Sequence, residues 1–211
     1  MDKLDFVAID LETATRERFS ICEIGIAIVQ NGQVTDSRSW LVQPPYNRYE
    51  GINVYIHGIR PCDTEDCRTF PEVWLEVEPF LNNQVVVAHN AAFDICALRD
   101  TFKVFHMDFP SFQYYCSYRL AKKTVPHASS YTLPLICQDL GINFGKHHRA
   151  EGDAIGCAEV FCKCIELSQV SSFVELQTKY NFRCGAFTSQ EFRSIHSFGP
   201  LKRLSTDKKH Y

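Results

Sequence analysis

Apolar positions fall first into short continuous runs and later into helical spacing, and that order predicts the elements. Phe6 to Leu11 reads as a buried strand and Ile21 to Val29 as a second. Asn31-Gly32 follows as a tight turn, because both residues tolerate positive φ, and leads into a third strand near Arg38 to Val42. Pro44, Pro45, Tyr46, Asn47 and Arg48 begin an irregular crossing segment that runs to about Thr69. From Pro71 the spacing of Trp74, Val77, Phe80 and Leu81 is helical, with Thr69 placed to cap it. Val85 to Ala88 is a short buried strand and a helix follows from about Ala91 to Phe102, an order that signals parallel pairing in the centre of a sheet. Helices are expected at Ser117 to Lys123, at Leu133 to Leu140 with Gly141 as its stop, and at Asp153 to Leu167.

Beyond Ser171 the pattern weakens. Phe173 to Tyr180 suits one more helix, after which Phe182, Phe187, Phe192 and Phe198 interleave with Arg183, Arg193, Lys202 and Arg203. That tail reads either as an arm that stacks on bases and holds phosphates or as a packed extension or linker, with Thr206 to Tyr211 expected to be disordered. The expected architecture is α/β. An antiparallel three-stranded meander joins parallel strands in one mixed sheet flanked by helices, with a domain over residues 1–170 and a C-terminal extension over 171–211.

Composition narrows the class. The chain has 211 residues with 45% apolar content, enough to bury a full core in one domain. No run of eighteen apolar residues and no export signal is present at the start, so a cytoplasmic protein with no membrane association is expected. Ten cysteines lie scattered, without a CxxC pair, which suits reduced structural thiols better than disulfides or zinc. The formal net charge of −3 gives no global signature of nucleic-acid binding, but clustered carboxylates neutralised by bound cations would contribute to that sum.

Three short patches carry the chemistry: Asp10-Leu11-Glu12-Thr13, His89-Asn90-Ala91-Ala92-Phe93-Asp94 and His148-Arg149-Ala150-Glu151-Gly152-Asp153. Asp10 and Glu12 are two apart at a strand end, so both carboxylates leave one face while Leu11 enters the opposite layer. Asp94 and Asp153 each stand near a helix start after a loop. Carboxylates brought within about 4 Å of one another repel by roughly 4 kcal/mol per pair at an effective dielectric near 20. Something cationic must fill the space between them, and two Mg²⁺ or Mn²⁺ ions about 3.5–4 Å apart suit in-line displacement at phosphorus. His148, with a reference pKa of about 6.5, is the natural general base. Taken singly, each patch has a plainer reading: an exposed Asp-x-Glu, an Asn90 helix cap, a basic loop around His147 and His148. Three patches in this order, each at a predicted junction, favour a metal-dependent nuclease.

With these residues the chain resembles the DEDDh branch of the DnaQ-like 3′→5′ exonucleases over about residues 4 to 168. It is closest to the type of the proofreading ε subunit of bacterial DNA polymerases through Ile56-His57-Gly58-Ile59, Thr69-Phe70-Pro71-Glu72-Val73 and the run His89 to Asp94. The resemblance implies a ribonuclease H-like fold, release of nucleoside 5′-monophosphates from the 3′ ends of single-stranded DNA or RNA, and two Mg²⁺ or Mn²⁺ ions. It further implies Asp10, Glu12, Asp94 and Asp153 as metal ligands, His148 as base with Asp10 and Glu12 in catalysis, and Thr13, Ala14, His57, His89, Asn90 and Phe93 around the terminal nucleotide. A polymerase or another replication or repair protein is the partner it suggests. One departure is the segment Ala14 to Phe19 after Thr13, where the family often has a glycine turn; Arg16 and Arg18 could steer phosphates there. The competing functions are a non-catalytic docking module associated with a polymerase or nucleoprotein, and a phosphodiesterase for very short oligonucleotides.

Overall fold

A computed structural model describes residues 4–143, 147–189 and 192–197. Strand β1 (Phe6–Thr13) pairs antiparallel with β2 (Ile21–Gln30), which pairs antiparallel with β3 (Gln33–Leu41). The β2–β3 turn is made by Asn31 (φ 59°) and Gly32 (φ 76°), both in the left-handed region that such a two-residue hairpin requires. The third strand therefore starts directly after the turn, several residues earlier than its apolar content suggests; its pattern is largely exposed because it is an edge.

The crossing segment is more ordered than proline and glycine punctuation implies. It holds helices α1 (Gly51–His57) and α2 (Pro61–Thr64), each too short to show a helical apolar stripe, and α1 leaves Ile52, Tyr55 and Ile56 exposed. Helix α3 (Phe70–Leu81) starts at a reciprocal cap, in which the Glu72 carboxylate accepts from the Thr69 N–H at 2.8 Å and its hydroxyl at 2.7 Å. Strand β4 (Val85–Ala88), helix α4 (Ala92–Val104) and strand β5 (Phe112–Cys116) complete the centre, with β1, β4 and β5 parallel. Strand β5 carries two tyrosines and a glutamine, which obscured it in the sequence. Then come α5 (Ser117–Thr124), α6 (Leu133–Asp139), α7 (Ala150–Ser168) and α8 (Phe173–Tyr180).

The chain beyond α8 returns to the sheet. After the two-residue β6 (Phe182–Arg183), β7 (Gly185–Phe187) pairs antiparallel with β5 and then with β8 (Phe192–Arg193), while β9 (His196–Ser197) pairs with β6. The main sheet has the order β3-β2-β1-β4-β5-β7-β8, a mixed sheet flanked by helices of the ribonuclease H-like kind. Phe187 is fully buried and stacks on Phe112 at 5.1 Å, so it is core and not free to stack on bases. Phe198, Lys202, Arg203 and Thr206 to Tyr211 lie outside the described residues.

Two apolar layers sandwich the sheet. Ile9, Leu11, Ile24 and Ile26 face α3 and α4, where Trp74 and Phe102 meet edge to face at 4.9 Å. Phe6, Ala8, Ala27 and Val29 face α7, against Phe161, Val160 and Ala158. Asp10 and Glu12 continue this second face past the point where α7 begins.

Candidate active site

Strand β1 outruns its parallel neighbour: its pairing with β4 ends at Ala8, whereas the strand continues to Thr13. A crevice opens there, as at the carboxyl ends of strands in α/β sheets generally. Asp94, in the first turn of α4 and buried, fills its near side, and its Oδ1 accepts the Leu11 N–H at 3.1 Å, between Asp10 and Glu12 in the chain. Asn90 does not cap α4. It sits at φ 60° and its carbonyl accepts from the Phe93 N–H at 2.9 Å, turning the chain from β4 into the helix.

The opposite wall is the start of α7, and the sequence of β2 determines how closely it approaches. Gly25 lies across from Asp10 in the antiparallel register. A Cβ at Gly25 would sit 2.0 Å from the Ala150 carbonyl carbon and 2.3 Å from the Glu151 nitrogen, so the first turn of α7 rests directly on the bare strand. Two residues earlier, buried Glu23 grips that turn. Its carboxylate accepts from Arg149 Nη2 at 2.6 Å, from Arg149 Nε at 3.1 Å, and from the Ala150 N–H at 3.0 Å, an otherwise orphaned donor of the helix start. With the helix so placed, starting at Ala150 and not at Asp153 as the apolar spacing suggests, Asp153 falls within the first turn and faces Asp10. Ligand oxygens of Asp10, Glu12 and Asp153 all lie within 4.8 Å of one another. A lone acid in the apolar run Ile21 to Val29 was the available signal for Glu23. Converting Glu23 to glutamine should cost roughly 1.5–3 kcal/mol of stability by weakening the charge-assisted bonds, measured by denaturant unfolding, and should lower turnover because Asp153 is no longer held in place.

Both histidines of the loop before α7 reach the same place. His147 Nδ1 lies 2.7 Å from Asp153 Oδ1, and the His148 N–H donates to Asp153 Oδ2 at 3.1 Å. Ring nitrogens of His147 and His148 lie within 4.8 Å of an Asp153 oxygen, and the two rings are 3.8 Å apart. His148 is exposed and holds a left-handed backbone, φ 62°, a conformation worth notice in a non-glycine residue beside a site. His147 lines the cleft of about 430 Å³ that opens over Asp10 and Asp153, with His89, Asn90, Tyr118 and Tyr131.

The remaining predicted residues divide. Phe93 is 41% exposed, so it is a rim residue and not a core anchor. His57, expected beside the terminal base, is instead buried with both ring nitrogens engaged: Nδ1 accepts the Ile59 N–H at 3.0 Å and Nε2 lies 3.3 Å from the Thr13 carbonyl. It braces the end of β1, as does Asn53, whose amide donates to the same carbonyl at 2.8 Å. The backbone of Ala14 is likewise spent within the protein, its N–H on Ser20 and its carbonyl on the Glu50 N–H. Thr13 is buried beside it. His89 spans Ser117 Oγ at 2.8 Å and the Tyr131 carbonyl at 2.9 Å, which locks its ring in the cleft wall. Arg16 pairs with Glu50 at 3.1 Å and Arg18 stands 3.9 Å from Asp100, so each guanidinium has an acid beside it.

Electrostatics identify what the cluster lacks. Burial first, then the neighbouring Asp94, Asp153 and Glu12, push the Asp10 carboxyl well above the ordinary aspartate range. Burial, then Asp153 and Glu23, raise Glu12 to about 8, and burial raises Asp94 to about 7 against the pull of the backbone bond from Leu11. Burial and the adjacent His147 hold the His148 imidazole below its usual value, opposed by Asp153. Arg149, bound to Glu23, pulls Glu12 down only slightly against burial and the neighbouring acids. A hard divalent ion with oxygen ligands fits this donor set.

The family model described as "Exonuclease" matches residues 7–161. The PolC-type DNA polymerase III of Thermotoga petrophila is 33% identical over 181 residues, covering 84% of this chain but 13% of that protein. The chain thus spans about an eighth of the length of such polymerases. The DNA polymerase III subunit epsilon of Aquifex aeolicus is 30% identical over 163 residues, covering 76% of this chain and 80% of that subunit. Among solved structures, the nuclease domain of 3′hExo, a DEDDh family member bound to rAMP, superimposes with a TM-score of 0.66 at 15% identity, over 78% of this chain and 93% of that one. At that identity it attests to the fold alone.

Proposed function

The chain belongs to the exonuclease family, in its DnaQ-like 3′→5′ type, and from that premise we propose that it removes nucleoside 5′-monophosphates one at a time from the 3′ ends of single-stranded DNA or RNA. The observation that carries this reading is the convergence of Asp10, Glu12 and Asp153 within 4.8 Å, with Asp94 hydrogen-bonded to the strand between the first two. These four acids would hold two Mg²⁺ or Mn²⁺ ions, which when bound supply charge stabilisation at the phosphate and a more acidic water. His148 accepts the proton of the attacking water at its imidazole nitrogen, which its lowered pKa leaves free at neutral pH. The water oxygen bonds to phosphorus, the P–O3′ bond breaks, and the shortened strand departs with a 3′-hydroxyl. Phe93, exposed at the rim, packs against the terminal nucleotide, and the locked His89 with Asn90 shapes the wall it enters.

The polymerase names of its relatives support a polymerase, or another replication or repair protein, as partner. Ten free thiols suit a reducing compartment, and we place the chain in the cytoplasm. Among the described residues no helix is long and apolar enough to cross a membrane.

A time course on 3′-labelled and 5′-labelled single strands tests the reading. The 3′ label should appear at once as mononucleotide, the 5′-labelled strand should shorten stepwise, and EDTA should stop both. His148→Ala should reduce the rate about 10²–10⁴-fold, the range of a general base, and more than His147→Ala does. Internal cleavage, or release of 5′ mononucleotide first, would rule the assignment out.

A further inference from the structure

The interleaved basic and aromatic side chains that the sequence suggests for the tail occur in the fold on α5. Tyr118, which lines the catalytic cleft, also lines a second cavity of about 470 Å³ together with Arg119, Lys122, Lys123 and Phe182. The two cavities are therefore joined by one aromatic ring. His89, Tyr118 and Tyr131 form a ridge of rings in the cleft that Asp10 and Asp153 also line, Tyr118 meeting His89 edge to face at 5.9 Å and Tyr131 at 6.1 Å. The Lys122 ammonium lies over this ridge, 5.3 Å from the Tyr118 ring centre and 5.9 Å from that of Tyr131. Lys122 and Lys123 are exposed, and among the described residues neither meets a carboxylate. Arg119 donates to the Ile195 carbonyl at 2.7 Å and so pins the C-terminal segment as the far wall.

Hydrolysis of one terminal nucleotide uses none of these cations, and a chain of net charge −3 has little cause to gather three of them beside a ring that opens on an anionic site. A single strand entering the cleft brings phosphates and exposed bases at regular intervals, which is what a cationic groove with aromatic platforms accommodates without regard to sequence. We propose that the α5 face is the track for the polynucleotide upstream of the terminal nucleotide, with phosphates at Lys122 and Lys123 and a base against the exposed edge of the Tyr118 and Tyr131 pair. This assignment rests on the exonuclease reading, whose substrate it extends from one nucleotide to several.

The test is the double variant Lys122→Gln, Lys123→Gln, assayed on a twelve-residue oligothymidylate and on the p-nitrophenyl ester of thymidine 5′-monophosphate, which has no upstream strand. The track predicts a KM for the twelve-mer raised roughly tenfold with little change in kcat, an unaltered rate on the ester, and recovery with Lys122→Arg, Lys123→Arg. Binding of the fluorescent twelve-mer in EDTA, followed by anisotropy, should lose about 0.7 from the slope of log affinity against log salt for each phosphate contact removed. An unchanged KM and salt slope would overturn the track while leaving the exonuclease assignment intact, and such a result would point to a protein partner for this face. Equal loss on twelve-mer and ester would also overturn it, by showing that the lysines act on the site itself. Hydrolysis of neither substrate by the wild type would instead remove the exonuclease reading, and the anisotropy slope would still decide whether the strand runs over α5.

Discussion

Replacing Asp10 by asparagine is expected to cut hydrolysis by about 10³-fold, the scale of losing a principal electrostatic group in an active site, while raising the melting temperature of the metal-free protein. Both effects have one cause. Asp10 stands half-buried among Asp94, Asp153 and Glu12, and its carboxyl is pushed well up by burial and by those charges. An acid raised in this way holds its proton more tightly folded than unfolded. Its stabilising contribution is therefore complete below the ordinary carboxylate pKa and is lost as pH rises through the folded value. Glu12 at about 8 and Asp94 at about 7 titrate in the same sense. The metal-free wild type should thus lose stability progressively from about pH 4 to pH 8. The stabilising effect of Asp10→Asn should be small at pH 5 and largest near pH 8, and Mg²⁺ or Mn²⁺ should raise the wild-type melting temperature most at the alkaline end. Scanning calorimetry of both proteins across that range, with EDTA and with metal, checks each point. A metal-free melting temperature that climbs between pH 5 and pH 8 would contradict the crowded-carboxylate account.

Substituting Gly25 by alanine should be among the most damaging changes to stability, although it adds one methyl group. The new Cβ would stand 2.0 Å from the Ala150 carbonyl carbon and 2.1 Å from its oxygen, and these are backbone atoms that cannot swing aside. To admit the methyl, the first turn of α7 must lift off β2, which stretches the Glu23 bonds to Arg149 and to the Ala150 N–H and draws Asp153 away from Asp10. Overpacking of this kind costs about 3 kcal/mol or more, which for a chain of this size corresponds to a melting temperature lower by roughly 6–12 °C. Activity should fall further than stability alone explains, because displacements near 1 Å in a catalytic group cost about 10²-fold. A folded Gly25→Ala protein with full activity and an unchanged melting temperature would show that α7 does not rest on the strand.

How much was legible in advance differs by element. The β1 and β2 strands, the Asn31-Gly32 turn and β4 were evident because they are local patterns: continuous apolar runs, and a turn that needs positive φ. Helix α1 and strand β5 were not, since α1 leaves Ile52 and Tyr55 exposed and β5 mixes polar and aromatic residues at its junction with β7. In the site, the four acids were chosen by residue type and spacing. His57 marks a limit of the sequence, because a histidine that braces a strand end and one that touches substrate look alike there; its two backbone partners show the bracing.

The sequence by itself determined which donors are available, because carboxylates two residues apart on a strand and near the starts of two helices carry their identity wherever the chain goes. Whether those donors meet was decided by tertiary structure. That depends on contacts 83 to 127 residues apart in the chain, the Leu11 bond to Asp94 and the Glu23 grip on Ala150, and on an empty position at Gly25. Distances of that kind are set by how layers pack, which no local pattern of residues records.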